Sequence, residues 1–128
     1  MIMEKILLYH PDEMEFQKIK RVAGNLKIRC VRIEPAVLTQ PIEALVAGNP
    51  NPSAAPFSGD MPPESLLLMS DFSDKRMDRL LLALRKAAAQ VDFKAVATTT
   101  NRKWNVLRLL AELRMEKAAY EANKKNFS

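Results

Sequence analysis

The chain has 128 residues, of which 48% are hydrophobic and 27% are charged, and its formal net charge is +5. This length fits one compact domain that buries about two-thirds of the surface of its unfolded chain, and the composition indicates neither a disordered nor a membrane protein. One cysteine and one histidine exclude an intrachain disulfide and a metal site built from Cys and His clusters, while the basic balance allows anionic partners, including nucleic acid.

The first residues resemble a strand more than a targeting segment. Residues 1–9 contain an acidic residue early and no small-residue cleavage site after an apolar run. No segment approaches the roughly 18 consecutive apolar residues that span a bilayer. We therefore expect a cytoplasmic protein without a membrane partner.

The front half predicts a strand, a helix, a second strand and a short helix. The first strand covers Lys5–Tyr9, and an amphipathic helix follows over residues 11–25. The second strand covers residues 28–33. Thr39 is expected to cap a short helix that ends near Gly48.

The back half begins after residues 49–64, which hold five of the eight prolines and predict a loop between the halves. Residues 65–70 form a continuous apolar run, as in a strand covered on both faces. Ser73 is expected to cap the next helix, and residues 93–97 form the last strand. Residues 120–128 predict a frayed tail. The last helix is expected to face the core with Trp104, Leu107, Ala111, Met115 and Ala118, flanked by Leu110 and Leu113.

Alternating strands and helices predict a single α/β domain over residues 1–128, and the sequence shows no internal repeat. We expect three layers: a mainly parallel four-stranded sheet in the order 2-1-3-4, with helices on both faces. Ligands of such sheets bind at the carboxyl ends of the strands. On this topology, His10 and Asp12, Ser70 and Asp71, and residues 98–101 meet at one edge.

The turn after the last strand is the candidate ligand site. A helix N-terminus exposes N–H groups that bind anions, and two cations in the first helical turn oppose the helix dipole unless an anion is bound. The alternative is simple capping, in which Thr100 or Asn101 caps the helix and the two cations point to solvent. The candidate ligand-binding residues are Thr98, Thr100, Asn101, Arg102 and Lys103, with Asp71 nearby.

Other chemistry is less favoured by the sequence. His10 with Asp12 or Asp71 would form an acid–base pair, and Asp12, Asp71 and Asp74 would offer carboxylates to a divalent cation. Cys30 lies in a strand-like alternation and is interpreted as a small buried hydrophobic residue. We assign no catalytic residue, no metal ligand and no cofactor.

Three segments resemble a bacterial domain family classed only as of unknown function. They are residues 77–81, residues 94–104 and residues 109–113, within a similarity that extends over residues 65–117. In the family's pattern a strand ends in Thr-Pro-Thr-Asn, followed by two residues, Trp and a Leu-rich helix ending in Glu. Thr99 replaces the proline of that pattern. The resemblance implies a small bacterial cytosolic α/β domain and lends no activity. The matching positions are Thr98, Thr100, Asn101, Trp104 and Glu116.

These observations favour a non-enzymatic binding or interaction module for an anionic small molecule or a protein partner. The alternative is an RNA-associated accessory protein, and a small hydrolase or transferase is the least favoured class. Exposed apolar residues in the loop over residues 55–61 allow contact with a neighbouring subunit, so the oligomeric state stays open. The RNA alternative uses the basic residues of the last helix: Arg102, Lys103, Arg108, Arg114 and Lys117.

Overall fold

The computed structural model describes residues 4–50 and 57–126. Four strands and four α-helices alternate along the chain, and a short 3-10 turn follows β2 and another follows β4. Among the residues described, no helix is both long enough and apolar enough to cross a bilayer. The elements are β1 (Lys5–Tyr9), α1 (Glu13–Asn25), β2 (Arg29–Ile33), the 3-10 turn Pro35–Val37, α2 (Ile42–Ala47), β3 (Leu66–Ser70), α3 (Asp74–Lys86), β4 (Phe93–Val96), the 3-10 turn Asn101–Lys103 and α4 (Val106–Asn126).

The strand order β2-β1-β3-β4 confirms the predicted order, but the sheet is mixed. β1 and β2 are parallel, as are β3 and β4, whereas the central pair β1 and β3 is antiparallel. The expectation of a mainly parallel sheet is therefore wrong. Every residue of both central strands is buried. Such continuous apolar runs are typical of parallel strands covered by helices, and they carry no information on strand direction.

The structure shows an internal repeat that the sequence conceals. Each half runs strand, helix, strand, 3-10 turn, helix. β1 and β3 both have five residues, α1 and α3 both have 13, and the members of each pair lie 61 positions apart. Ile19 thus corresponds to Leu80 and Phe16 to Met77, so the apolar character is kept while the residues differ. Leu7 is opposite Leu68, its own counterpart, so a pseudo-twofold axis crosses the sheet at this pair.

The repeat extends to unusual backbone angles. His10 directly after β1 and Asp71 directly after β3 have φ angles of 50° and 66°. Lys27 before β2 and Ala88 before β4 have φ angles of 59° and 54°. Side chains with a Cβ adopt this left-handed region at an energetic cost, so equivalent strained residues at equivalent turns support a common architecture for the halves.

Two apolar clusters fill the space on either side of the sheet, which gives the three layers that the sequence predicts. Alternate strand residues face α1 and α3 on one side: Ile6, Leu8, Leu67 and Met69, packed with Ile19, Val22, Leu80 and Leu84. The intervening residues face α2 and α4 on the other: Leu7, Tyr9, Leu66 and Leu68, packed with Ile42, Leu45, Val106, Leu109 and Leu110.

Local signals at helix ends are partly confirmed. The hydroxyl of Ser73 accepts a hydrogen bond from the N–H of Arg76 at 3.2 Å, as expected of an N-cap, and Gly48 ends α2 in the left-handed conformation. Thr39 is not the cap of α2, because Pro41 occupies that position.

The buried face of α4 differs from the expected one. Ala111 and Ala118 are exposed and Met115 is 65% exposed, because Val106 and Leu109 face the sheet together with Leu110. Trp104, Leu107 and Leu113 are partly buried against the same cluster, as expected. The helix continues to Asn126, through most of the segment over residues 120–128 for which a frayed tail is expected. Within the proline-rich loop, residues 51–56 lie outside the described residues.

Candidate functional site

The turn after β4 is organised by the side chain of Asn101, which is only 7% exposed. Its Oδ1 accepts a hydrogen bond from the backbone N–H of Thr98 at 2.8 Å, and its Nδ2 donates to the carbonyl oxygen of Val96 at 2.9 Å. The Thr98 hydroxyl accepts in turn from the N–H of Asn101 at 3.1 Å. The side chain of Asn101 therefore holds the end of β4 in place.

An ion pair joins the end of β3 to the same turn. The guanidinium of Arg102 donates to Oδ1 of Asp71 and to the hydroxyl of Ser70, both at 3.1 Å. The Ser70 hydroxyl donates to the other carboxylate oxygen of Asp71 at 2.9 Å. The two charged side chains are 27% and 31% exposed. The structure thus brings Asp71 and Arg102 together, as the sequence predicts.

Lys5 lies at the same end of the sheet, directly opposite Ser70, and the sequence analysis missed it. Its ammonium donates to the carbonyl oxygen of Val46. Burial lowers the pKa of Lys5, the positive charge of Arg29 lowers it further, and Asp71 acts in the opposite direction. The signal in the sequence is a lysine within an otherwise apolar first strand, which indicates a buried charge at this end of the sheet.

The cap of α4 differs from both sequence-based alternatives. α4 begins at Val106, and the side-chain oxygen of Asn105 accepts from the N–H of Arg108 at 2.8 Å. Neither Thr100 nor Asn101 is therefore the N-cap. The two cations of the candidate site belong to the preceding 3-10 turn, so the argument from the helix dipole does not apply to them.

The remaining candidate residues face solvent. Thr100 and Lys103 are exposed, and the Thr100 side chain makes no capping hydrogen bond. Thr98 is also exposed, but its hydroxyl and its N–H group both bond Asn101. The candidate site thus divides into residues that fix the turn and residues that are open to a partner. Asn101, Arg102 and Asp71 belong to the first group.

The mixed sheet separates His10 from Asp71. Tyr9 lies opposite Leu66 at the start of β3, so His10 follows β1 at the end of the sheet away from Asp71. The expectation that all these strand ends meet at one edge is wrong, because β1 and β3 run in opposite directions. This antiparallel arrangement also separates His10 from Asp71, so the two cannot form an acid–base pair. It separates Asp12 from Asp71 and Asp74 as well, so the three carboxylates cannot bind one cation together.

His10 lies instead beside a polar cavity of about 430 Å³. Its Nδ1 is 3.0 Å from the carbonyl oxygen of Pro63, and Asp12 lines the same cavity. Glu15 also lines it and accepts from the N–H of Gln90 at 2.8 Å, a contact that lowers the pKa of Glu15. Within residues 4–50 and 57–126, no group of three His, Cys, Asp or Glu side chains is arranged to hold a metal ion.

The cations considered for RNA binding mostly have partners within the chain. Arg102 pairs with Asp71 and Arg114 with Glu64, which lowers the pKa of Glu64. The other contacts are with aromatic rings, and they cover ring faces that would otherwise stack on bases: Arg108 lies 4.4 Å from the centre of the Trp104 ring, and Lys117 lies 5.9 Å from that of Phe93.

Cys30, in β2, is half-buried, and burial raises the pKa of its thiol. A raised pKa reduces the thiolate fraction at neutral pH, and the thiolate is the nucleophilic form. The structure thus agrees with the interpretation of Cys30 as a small apolar residue.

The open edge of β4 is a feature that the sequence analysis missed. The N–H groups of Phe93 and Ala97 donate to β3, at 3.0 and 2.8 Å. Because backbone groups alternate along a strand, Lys94 and Val96 direct theirs away from β3, and the bond from Asn101 to the Val96 carbonyl confirms this direction. Period-two alternation was visible in the sequence, but the position of this strand at the sheet edge was not.

Comparison with known families identifies part of the chain. Residues 65–120 match the model of a domain of unknown function, DUF3783. The matched segment covers β3, α3, β4 and α4 as far as Tyr120, and thus the half of the repeat that carries the candidate site. No curated protein and no solved structure is detectably similar to the chain.

Proposed function

We propose that the protein is a non-enzymatic binding module that accepts an extended segment of a partner protein along the open edge of β4. The observation that carries the proposal is that both backbone groups of Lys94 and the N–H group of Val96 point away from β3, while the Val96 carbonyl oxygen, which points the same way, already accepts from Asn101. A strand added to a sheet edge gains affinity from main-chain hydrogen bonds, and side chains next to the edge supply specificity.

The candidate turn residues have a role in this proposal. Asn101 fixes the direction of β4 through its contact with the Val96 carbonyl oxygen, and the pair of Arg102 and Asp71 anchors the turn to β3. Thr100 and Lys103 follow β4 in the same turn, and their side chains are exposed. The ammonium of Lys103 is therefore accessible to an anionic group of a partner.

The two edges of the sheet are not equally suited to this role. By the repeat, Arg32 in β2 corresponds to Val96 in β4, since both follow the same register in their halves. The guanidinium of Arg32 donates to Glu13 at 3.4 Å and lies 4.5 Å from the centre of the Phe16 ring. Lys94 has no such partner among the residues that the structure describes, which favours the β4 edge.

Amide hydrogen exchange with capped β-forming peptides tests the proposal. The peptides carry acidic, basic or neutral side chains, and the readout is exchange at the N–H groups of Lys94 and Val96. We expect a bound peptide to slow exchange at these two amides, because they become hydrogen-bonded. If no peptide slows exchange there, or if protection appears along β2 instead, the proposal is wrong.

A proline variant supplies the matched control. Val96→Pro removes an N–H group that points away from β3, so the ladder between the strands stays intact, and proline is tolerated on edge strands. We expect peptide protection at Lys94 to disappear in this variant. Arg32→Pro makes the same backbone change at the other edge and is expected to leave binding unchanged. Circular dichroism of both variants verifies that they are folded.

A further inference from the structure

We infer that the segment accepted by β4 is acidic, with a carboxylate side chain opposite Lys94 and an apolar side chain two positions away, opposite Val96. This inference rests on the proposed strand addition and specifies its partner. It follows from the side chains that flank the open edge on one face of the sheet.

Lys94 and Val96 share a face of the sheet. In register, Lys94 is beside Leu67 and Val96 is beside Met69, and both partners belong to the cluster under α1 and α3. Side chains directly opposite each other on neighbouring strands lie on the same face and interact. A residue placed opposite Lys94 therefore directs its side chain to the α3 side of the sheet.

A cavity of about 410 Å³ is open on that side, between the end of α3 and β4. Leu81 and Ala89 supply apolar surface, and Arg85 and Lys94 supply two positive charges at the rim. Among the described residues, no carboxylate lies within ion-pair distance of either cation. A carboxylate entering this cavity would meet both charges, whereas a lysine or arginine would be repelled.

Val96 determines which side chain of the partner segment is favoured two positions away from the carboxylate. Its side chain is 37% exposed at the edge, an apolar surface that a neighbouring strand would cover. Cross-strand pairs with β-branched or aromatic residues stabilise a sheet, so an apolar residue is favoured opposite Val96. The partner residue between these two positions faces the α4 side of the sheet, where the small side chain of Ala95 offers little contact.

The test uses a capped fluorescent peptide of sequence Thr-Glu-Thr-Val-Thr-Glu-Thr, which reads the same in both directions and thus fits either strand orientation. Its control replaces both Glu residues by Lys. We expect the acidic peptide to bind at least about tenfold more tightly, which corresponds to about 1.4 kcal/mol. Protection of the Lys94 amide identifies the bound edge.

Two charge reversals separate local recognition from overall charge. Arg85→Glu places a carboxylate at the cavity rim, and we expect it to weaken binding of the acidic peptide by about tenfold or more. Lys86→Glu makes the same change in net charge at an exposed neighbour that does not line the cavity, and it should have little effect.

The outcomes distinguish this inference from the proposed function. Equal binding of the acidic and basic peptides, with the Lys94 amide protected, would overturn the inference and leave strand addition intact. Equal weakening by both reversals would also overturn it, because the preference would then come from long-range charge. Failure of every peptide to protect that amide would remove the proposed function itself.

Discussion

Replacing Asn101 by alanine tests how the end of β4 is held. The side chain makes two hydrogen bonds, to the N–H of Thr98 and the carbonyl of Val96, and the residue is 7% exposed. Each such bond contributes about 0.5–1.5 kcal/mol net, so their loss should lower the free energy of unfolding by about 2 kcal/mol. For a domain of this size that corresponds to a fall in Tm of roughly 8 °C.

Urea denaturation followed by circular dichroism measures this change, since a single domain of this size is expected to unfold in one step. Thr100→Ala is the matched control in the same turn, because its side chain is exposed and caps nothing, and it should change the free energy by less than about 0.5 kcal/mol. Asn101→Asp keeps the acceptor for Thr98 and loses the donor to Val96, so it should be destabilising as well. A cost below about 0.5 kcal/mol for Asn101→Ala would refute the reasoning, since two bonds of a buried side chain cannot be lost at so small a cost.

Two further predictions concern the packing of the core and the loss of stability at acidic pH. Leu80→Ala should cost about 2–5 kcal/mol, because this α3 side chain is fully buried, while Leu82→Ala on the same helix, at 48% exposure, should cost less than about 1 kcal/mol. Equal costs in urea denaturation would contradict the packing described for α3. The hydrogen bond to Arg114 holds the pKa of Glu64 below its ordinary value. The pair therefore stabilises the fold at pH values above the unfolded pKa of about 4.3. This stabilisation is lost as the pH falls through the lower pKa of the folded state. Urea midpoints across this range should therefore fall less steeply in Glu64→Gln than in the unmodified protein, and identical profiles would show that the ion pair contributes nothing.

Element positions were predictable from local signals. Apolar runs located the central strands, and a serine cap and a left-handed glycine located helix ends at Ser73 and Gly48. The direction of β3 was not predictable, because a strand buried on both faces has the same pattern in either direction. Because β3 runs antiparallel to β1, His10 lies at the end of the sheet away from Asp71, rather than at the shared edge that the sequence predicts.

The buried face of α4 was mispredicted for a different reason. The helix carries two apolar stripes, and the one that includes Met115 was extended back to Trp104, which precedes the helix. The stripe that begins at Val106 and includes Leu110 is the one that packs on the sheet. The stripe that packs on the sheet is the more apolar of the two, because it consists of valine and leucine, whereas the other contains Ala111, Met115 and Ala118.

The sequence predicts that the turn after the last strand is a ligand site, and that prediction stays untested, whereas the structural roles of the turn residues depend on the fold. The structure contradicts the role of Asn101 as the cap of α4 and shows that its side chain fixes the end of β4, while its role as a ligand residue stays a prediction. The backbone groups next to it, at Lys94 and Val96, carry the proposal. Their orientation follows only once β4 is known to lie at an edge with β3 on one side.

The two halves of the repeat have the same topology but different roles in the proposed function. The segment that matches the family, residues 65–120, contains β3 and β4, and without the front half the outer side of β3 would be unpaired. In this chain β1 pairs with that side, so β4 retains the open edge of its half. The front half has an equivalent open edge at β2, but there Arg32 is engaged by Glu13 and Phe16. A common backbone therefore leaves two outer edges, and side-chain charge distinguishes them: Lys94 and Arg85, unlike Arg32, have no carboxylate partner in the described structure, which is why we propose the β4 edge for an acidic partner.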